Sequence, residues 1–441
     1  MKKVITYGTY DLLHYGHIKL LERAKALGDY LIVGVTADDF DKTRGKINVR
    51  QTLEERIAAV RAVNIADQII VEQYEGQKID DIKRYDVDVF TVGSDWEGVF
   101  DYLREYCEVI YLPRTQGISS TDIRSSEATF KIGMTGYSSF LNKFYKESTF
   151  VNAVDVIGLY SKDTTKLSKI KDELEFITND YDELLENVDS VYIHSHPSSH
   201  YSECKKALLN GKNVLCESPV AMSSEECNEL LKIAKDNGLT FMEAIRTAYT
   251  TAYSRLLLLL KSGKIGKVVS VDATCTSLSS GGDGSREKLN RWGSLEAWGP
   301  TTLLPVFQIL GTDYESISFF FLKSSNGDYD SFTKIDFKYS FATASIKVGN
   351  GVKSEGELII SGTKGYVYVP APWWKMDYFE IRYENPTDNK RYFYQINGEG
   401  IRYELVEFAN AIRRGKPDFY IDRQVTIEIS KIMHEFYSKV K

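Results

Sequence analysis

Two histidines near the start of the chain have the type and the spacing for phosphate chemistry. His14 and His17 are three residues apart, so they share one face of a helix that starts beside a glycine-flanked turn. Residues 4–7 before the turn are β-prone, and apolar residues recur at helical spacing over 18–27. A turn between a strand and a helix offers free backbone N–H groups and the positive end of the helix dipole, which favour a phosphate. Two imidazoles there could donate hydrogen bonds to charge that develops during phosphoryl or nucleotidyl transfer.

The alternative is a pair of ordinary histidines near a strand end. Two of only six histidines in the chain lie in this one turn, however, which favours the phosphate site. Gly16 lies between them and leaves no side chain in the way of a nucleotide close to the backbone.

Strands and helices alternate through the first 111 residues and must position this turn. The predicted strands are 4–7, 30–35, 68–71, 87–92 and 108–111, and the predicted helices are 18–27, 53–62 and 79–84. This alternation predicts an α/β fold with a doubly wound parallel sheet, whose ligands bind at the carboxyl ends of the strands. The turn lies at such an end. So does Asp95, whose carboxylate could accept hydrogen bonds from a ribose or an amine.

A second candidate phosphate site lies in residues 114–121. Gly117 permits a tight turn there, and a hydroxyl of residues 119–121 can cap a helix that begins near Asp122. The free N–H groups and hydroxyls would suit the β- and γ-phosphates of a triphosphate. A plain helix cap is the alternative. The basic loop 41–46 is likewise open to two interpretations, a solvated surface or a phosphate contact.

Composition limits the classes of function. The chain has 441 residues, 43% of them apolar and 27% charged, which predicts more than one domain with ordinary hydrophobic cores. A net charge of −7 gives no general attraction to nucleic acid or to an anionic membrane. The five cysteines are scattered without metal-ligand spacing, which predicts reduced thiols in a cytoplasmic protein. The start of the chain is a strand and not a signal peptide, and the longest aliphatic run, 256–260, is too short to cross a bilayer.

Residues 1–124 resemble the bacterial glycerol-3-phosphate cytidylyltransferases, which belong to the HxGH nucleotidyltransferases. The matching stretches are 8–17 with its His-Tyr-Gly-His signature, 18–25, 93–98 and 111–119. The resemblance implies the reaction CTP + glycerol 3-phosphate → CDP-glycerol + pyrophosphate, with Mg²⁺ accompanying CTP, for teichoic-acid-like or capsular polymers. The substrates would then be CTP and a polyol phosphate. Another polyol phosphate is an open alternative, because pocket shape and not a motif selects the acceptor.

The same resemblance implies roles for individual residues. The catalytic residues it implies are His14, His17, Lys46 and Arg114. The nucleotide-binding residues it implies are Gly8, Thr9, Tyr10, Gly16, Asp95, Arg114, Gly117, Ile118, Ser119 and Thr121. The acceptor phosphate would be held by Arg44, Lys46 and Arg56. Arg44 replaces a family lysine, which keeps the charge but changes the donor geometry.

A second resemblance covers residues 130–441. Segments 191–200, 211–219 and 398–404 are similar to the Gfo/Idh/MocA oxidoreductases. This implies a Rossmann-like domain at 129–248 and an α/β open-sheet domain at 249–441, after the transferase domain at 1–128. Alternating patterns predict the strands of the open sheet at 268–277, 316–322, 331–339, 344–348 and 355–361.

The second half departs from that family at several positions where the family's chemistry resides. The glycine motif G-x-G-x-x-G reads Gly136, Ser138 and Leu141, and the family's Glu-Lys-Pro reads Glu-Ser-Pro with Ser218 in place of the lysine. Ala297 and Thr301 stand where the family has an aspartate and a histidine or tyrosine. A serine cannot supply the electrostatic effect of a lysine. We therefore predict a non-redox half that serves assembly or ligand binding.

Two alternatives remain for this half: an NADP-dependent reductase that acts on a polyol phosphate, or a module that only assembles a homodimer or a higher homo-oligomer. The possible dinucleotide site would use Gly136, Ser138, Ser161, Lys162 and Glu217, and a lysine after the second strand favours NADP. The three histidines at 194, 196 and 200 lack a carboxylate or cysteine at ligand spacing, so no metal site is predicted. No nucleic-acid or membrane partner is expected.

Overall fold

The computed structural model divides the chain into two compact units, Met1–Ala128 and Thr129–Lys441. It describes residues 1–43, 47–74, 76–113, 129–163, 170–278, 293–324, 327, 329–394, 396–415 and 420–440. The predicted further division after residue 248 stays a prediction. None of the helices in these described ranges is long and apolar enough to cross a membrane.

The first unit is a five-stranded parallel sheet in the order β3-β2-β1-β4-β5. Its strands are β1 (Lys3–Gly8), β2 (Tyr30–Thr36), β3 (Gln68–Glu72), β4 (Val89–Gly93) and β5 (Glu108–Leu112). Its helices are α1 (Tyr15–Lys25), α2 (Asp38–Thr43), α3 (Leu53–Val63) and α4 (Gln77–Tyr85), with 3-10 turns at Ser94–Trp96 and Asp101–Glu105. The doubly wound sheet is confirmed. Strand β1 lies between β2 and β4, so the turn after β1 opens at the point where the strand order reverses, which is the usual ligand position.

Both faces of this sheet are covered by apolar side chains, which explains the continuous hydrophobic strands. One core contains Val4, Leu21 and Val33, and the other contains Ile5 and Phe90. The short polar helix α2 was not predicted, because its sequence Asp-Asp-Phe-Asp-Lys-Thr has no apolar period.

The second unit begins with a six-stranded parallel sheet in the order β11-β10-β9-β6-β7-β8. Its strands are β6 (Phe130–Thr135), β7 (Val154–Tyr160), β8 (Phe176–Thr178), β9 (Ser190–Ile193), β10 (Asn213–Glu217) and β11 (Phe241–Ala244). The helices of this part are α5 (Phe140–Ser148), α6 (Tyr181–Asn187), α7 (Pro197–Leu209), α8 (Ser224–Asp236) and α9 (Thr251–Lys261), with a 3-10 turn at Arg246–Tyr249. The arrangement is Rossmann-like, as predicted.

A mixed open sheet of eight strands follows, in the order β13-β14-β15-β12-β16-β17-β18-β19. Its strands are β12 (Val268–Ser277), β13 (Ser316–Lys323), β14 (Asp330–Lys338), β15 (Thr343–Asn350), β16 (Leu358–Gly362), β17 (Tyr366–Val369), β18 (Tyr378–Arg382) and β19 (Lys390–Phe393). The remaining helices are α10 (Ser294–Leu310), α11 (Ile401–Arg414) and α12 (Arg423–Val440), with 3-10 turns at Trp373–Lys375 and Pro386–Asp388. Among the described pairs of this sheet, β12 and β15 alone run parallel. The last three strands were not predicted, because they are four or five residues long and prolines and short turns interrupt the alternation.

Candidate active site

The turn after β1 places His14 at the N-terminus of α1. His14 is the N-cap residue, and its Nδ1 accepts a hydrogen bond from the backbone N–H of Gly16 at 3.1 Å. An imidazole nitrogen that accepts a hydrogen bond from an N–H group carries no proton itself. The proton of the neutral ring is therefore assigned to the other nitrogen, Nε2. The first turn of α1 contains no acidic side chain that would compete for the helix N-terminus. The cap therefore presents an N–H donor beside a helix end that attracts anions.

His17 is held between two rings. Its imidazole stacks on His14 with a centroid distance of 4.0 Å and an interplanar angle of 24°, and the edge contact with Tyr10 is 5.5 Å. Tyr10 is buried, with 1% of its surface exposed, and has a positive φ of 53°. A Cβ atom at Gly8 would lie 2.9 Å from the Tyr10 ring, so a glycine is needed there. Tyr10 thus packs against His17, and Gly8 leaves room for the Tyr10 ring. The predicted nucleotide contacts of Gly8 and Tyr10 stay predictions.

Polar side chains fix the turn to the rest of the unit. The hydroxyl of Thr9 donates to Asp41 Oδ1 at 2.8 Å, and Asp11 Oδ1 accepts from the backbone N–H groups of Arg50 and Gln51 at 3.0 Å each. Asp11 and Asp41 were not predicted as site residues. Asp11 lies inside the turn motif, but its partners are about forty residues away in sequence, and no local pattern could reveal them.

Arg56 is a second support beneath the turn. Its guanidinium is fully buried and donates to the carbonyl oxygens of Thr9 at 2.7 Å and Thr36 at 2.8 Å, to the carbonyl of Gln51, and to the carboxylate of Asp38. The predicted contact of Arg56 with an acceptor phosphate does not fit this placement, because these four hydrogen bonds occupy a side chain without exposed surface. The role of a positioning residue fits instead.

Asp95 lies in the 3-10 turn that follows β4, and its side chain is exposed. Because β4 pairs with β1, Asp95 and the imidazole pair lie at the carboxyl edge of the same sheet. The predicted residues that lie outside the described part of the chain are Arg44, Lys46, Arg114, Gly117, Ile118, Ser119 and Thr121. Their roles stay predictions.

The described residues contain no group of three or more His, Cys, Asp or Glu side chains that could hold a metal ion. In the turn region the oxygens of Asp11, Asp38 and Asp41 accept hydrogen bonds from the protein itself. The predicted Mg²⁺ that accompanies CTP stays a prediction.

In the second unit, the loop after β6 has only part of the geometry that a dinucleotide requires. Gly136 has φ +122°, and a Cβ there would lie 2.4 Å from the carbonyl oxygen of His194. Ser138 Oγ, however, accepts the N–H of Phe140 at 3.2 Å, which removes a donor at the start of α5. Leu141 is fully buried where the motif has its third glycine. One motif position thus keeps the close backbone approach that only a glycine allows, and the other two carry side chains.

The other predicted dinucleotide residues lie at the carboxyl edge of the same sheet, after β7 and at the end of β10. Ser161 Oγ donates to the carbonyl of Asp163 at 2.7 Å, and Lys162 is exposed. Glu217 lies at the end of β10, where its carboxylate accepts a hydrogen bond from the Tyr192 hydroxyl at 2.5 Å. Burial raises the pKa of Glu217.

A pocket of about 170 Å³ lies at the carboxyl ends of β9, β10 and β11. Its lining consists of Phe140, His194, Glu217, Ser218, Ala244, Ile245, Arg246, Thr247, Ala297, Trp298, Pro300, Thr301, Trp374, Lys375 and Glu399. Ser218 donates its hydroxyl to the carboxylate of Glu243. The structure therefore brings Ser218, Ala297 and Thr301 into one pocket, although they are far apart in sequence.

The three clustered histidines have separate structural roles. His196 Nδ1 accepts the N–H of Ser198 at 3.3 Å and caps α7, and the ring nitrogens of His200 face the carbonyls of Pro219 and Ser195 at 2.7 and 3.0 Å. Burial, and then the charge of Arg246, lowers the pKa of His194 to about 3, so this ring is neutral. The protein's own groups thus engage the rings of His196 and His200.

Comparison with known proteins supports two halves of different origin. Residues 5–126 match the cytidylyltransferase-like family, and residues 130–245 match the oxidoreductase family with an NAD-binding Rossmann fold. Glycerol-3-phosphate cytidylyltransferase from Bacillus spizizenii is 54% identical over 129 residues, which are 29% of this chain and 99% of that protein. The enzyme of the same name from Staphylococcus aureus is 53% identical over 124 residues, or 28% of this chain and 93% of that protein.

Solved structures of oxidoreductases resemble the larger part of the chain. A 3-ketoreductase from Actinomadura kijaniata, in complex with NADP and TDP-benzene, has a TM-score of 0.61 and 17% sequence identity, and the match covers 69% of this chain and 96% of that one. At this identity the likeness shows the fold alone. Through residues 5–126 the chain belongs to the cytidylyltransferase-like family of nucleotidyltransferases, here fused to a half with the fold of the Gfo/Idh/MocA oxidoreductases.

Proposed function

We propose that the first unit transfers the cytidylyl group of CTP to glycerol 3-phosphate, which yields CDP-glycerol and pyrophosphate. The observation that carries this proposal is the stacked pair His14 and His17 at the N-terminus of α1, where the Gly16 N–H donates to His14 Nδ1 and leaves Nε2 as the ring's N–H donor. The identity of 54% to a glycerol-3-phosphate cytidylyltransferase supports this choice of acceptor. Synthesis of teichoic-acid-like or capsular polymers is the use that we infer for the product.

The residues act by position and charge. An oxygen of the acceptor phosphate attacks the α-phosphorus of CTP in line, the bond to the β-phosphate oxygen breaks, and pyrophosphate leaves with that electron pair. The imidazole N–H groups of His14 and His17 would donate to the α-phosphate and leaving-group oxygens, which gain charge in the transition state. We propose that Asp95 contacts the ribose or the base, and that Lys46 and Arg114 supply positive charge. No covalent enzyme intermediate is required.

A pyrophosphate-release assay with CTP and a panel of polyol phosphates tests this proposal. We expect glycerol 3-phosphate to give the highest kcat/KM, because 129 residues of this chain are 54% identical to an enzyme named for that acceptor. Glycerol 2-phosphate and ribitol 5-phosphate serve as matched controls with a displaced phosphate or a longer chain. A higher kcat/KM for either control would show that this control, and not glycerol 3-phosphate, is the preferred acceptor. If none of the three compounds led to pyrophosphate release, the proposed reaction would be rejected.

We propose further that the second unit binds a ligand without redox chemistry. Ser218, which donates a hydrogen bond to Glu243, stands where the family has a lysine. The side chain of Ser138 accepts a hydrogen bond from a backbone N–H that a pyrophosphate would need. The alternative reductase gains support from the NADP that its structural neighbour contains. Titration with NADPH decides between the two: saturable binding and a substrate-dependent change in nicotinamide absorbance would reject the non-redox role. Assembly as a homodimer or higher homo-oligomer stays a prediction.

A further inference from the structure

The turn between β1 and α1 holds two non-glycine residues in the left-handed backbone region. Tyr10 has φ +53° and Leu12 has φ +47°, values that a residue with a Cβ atom rarely adopts. Strained backbone of this kind persists where the surrounding structure holds it in place, and it is concentrated at functional sites. His14 follows Leu12 by two residues, so the conformation of Leu12 sets the direction in which the chain reaches the imidazole pair.

The side chain of Gln51 holds Leu12 in this conformation. Its Oε1 accepts a hydrogen bond from the backbone N–H of Leu12 at 2.7 Å, across 39 residues of sequence. Tyr10 has a different support, because its buried ring packs against His17 and into the space that Gly8 leaves. The second strained residue therefore depends on an acceptor that lies outside the turn.

Gln51 is itself anchored on both sides of its backbone. Its N–H donates to Asp11 Oδ1 at 3.0 Å, and its carbonyl accepts a hydrogen bond from Arg56 Nε at 3.2 Å. The link to the turn is reciprocal, since Asp11 binds the backbone of Gln51 and the side chain of Gln51 binds the backbone next to Asp11. Asp11 has 3% of its surface exposed and Arg56 has none, so water competes little with these bonds. The amide of Gln51 therefore has a defined position relative to the turn.

The path of the turn decides where the imidazoles lie. His14 is the N-cap of α1 with its Nδ1 on the N–H of Gly16, and its ring stacks on His17 at 4.0 Å. If Leu12 relaxed to a right-handed or extended conformation, the chain would enter α1 from another direction and displace this cap. A displacement of about 1 Å at a catalytic group can lower a rate by about 10²-fold.

We propose that Gln51 is a positioning residue for the imidazole pair, which acts by holding Leu12 in the left-handed conformation from which His14 enters α1. Gln51 acts through the backbone of Leu12 and needs no contact with substrate. Its effect on turnover rests on the proposed cytidylyl transfer, whereas its effect on the histidine rings does not.

Gln51→Met tests this role, because it keeps the length of the side chain and removes the acceptor. We expect kcat with CTP and glycerol 3-phosphate to fall by about 10–100-fold, and the KM for CTP to change by less than about threefold. Gln51→Glu keeps an acceptor oxygen of the same reach and should retain kcat within about threefold at saturating substrates. Gln68→Met is the matched control, since Gln68 begins β3 at the amino edge of the same sheet and should leave turnover unchanged.

A second substitution separates the backbone effect from a general loss of stability. Asparagine adopts the left-handed region more readily than leucine, so Leu12→Asn should reduce the need for the acceptor. In the Leu12→Asn background we expect Gln51→Met to lower kcat by less than about threefold. Equal losses in both backgrounds, or equal losses for Gln51→Met and Gln51→Glu, would overturn the proposal. If Gln51→Met does not fold, Gln51→Asn makes the same comparison with an amide that is one methylene shorter.

Nitrogen-15 NMR of the histidine rings measures the effect without an assay of activity. In the wild type, Nδ1 of His14 should have the chemical shift of a hydrogen-bond acceptor and Nε2 that of an N–H group. In Gln51→Met the proton of His14 should spread over both nitrogens, while the ring of His434 on α12 keeps its spectrum. An unchanged spectrum of His14 would overturn the proposal. A changed spectrum in a chain that forms no CDP-glycerol would reject the reaction alone and leave Gln51 assigned.

Discussion

Replacement of His17 by alanine is expected to lower the turnover of cytidylyl transfer by about 10²–10⁴-fold, the range for loss of a donor to developing charge. The imidazole stacks on His14 at 4.0 Å and lies at the N-terminus of α1, so its loss removes one donor and also frees the ring of His14 to turn. Pyrophosphate release at saturating CTP and glycerol 3-phosphate measures the effect. The KM for CTP should change less than kcat, because the donor acts mainly on the transition state.

His434→Ala is the control for this experiment. It makes the same substitution at an exposed histidine of α12 in the second unit, far along the chain from the turn, and should leave turnover unchanged. A rate for His17→Ala within a factor of three of the wild type would reject the role of His17, and with it the main support for the proposed reaction.

Replacement of Arg56 by methionine is expected to destabilise the first unit by about 3–5 kcal/mol, the usual effect of removing one partner from a buried charged network. The substitution keeps much of the side-chain volume but leaves the carbonyls of Thr9 and Thr36 without their donor. It also leaves the buried carboxylate of Asp41 without the guanidinium that lies 3.5 Å away. Because Thr9 belongs to the turn, the variant should lose activity together with stability.

The urea concentration at which cytidylyl transfer is lost reports on the first unit alone, which a whole-chain unfolding signal would not do. Arg61→Met provides the matched control, because it makes the same substitution on the same helix α3 at an exposed position. We expect the control to shift the midpoint little, since exposed substitutions usually change stability by less than about 0.5 kcal/mol. An equal midpoint for Arg56→Met and the wild type would show that the buried hydrogen bonds of Arg56 do not hold the turn.

The local pattern of apolar residues was sufficient to predict most of the described strands and helices of the first unit. The five strands of its described residues, and three of the four α-helices there, were predicted to within a few residues, because continuous apolar strands and apolar positions at helical spacing are local properties. The start of α1 was predicted at Ile18 and lies at Tyr15, since the helix begins at a cap formed by His14 and not at its first apolar residue. The turn with His14 and His17 at a sheet edge followed from the same local reasoning.

The sequence by itself determined the alternation of strands and helices, the histidine pair at a strand end, and the loss of the family's lysine at Ser218. Only the tertiary structure decided that Arg56 lies beneath the turn and that Gln51 accepts the N–H of Leu12. The spacing of apolar residues indicates which face of a strand or helix is buried. This spacing is a property of residues only a few positions apart. A charged side chain, in contrast, takes its role from groups that are distant in sequence: for Arg56, a carbonyl 47 residues away. That information exists only once the chain has folded.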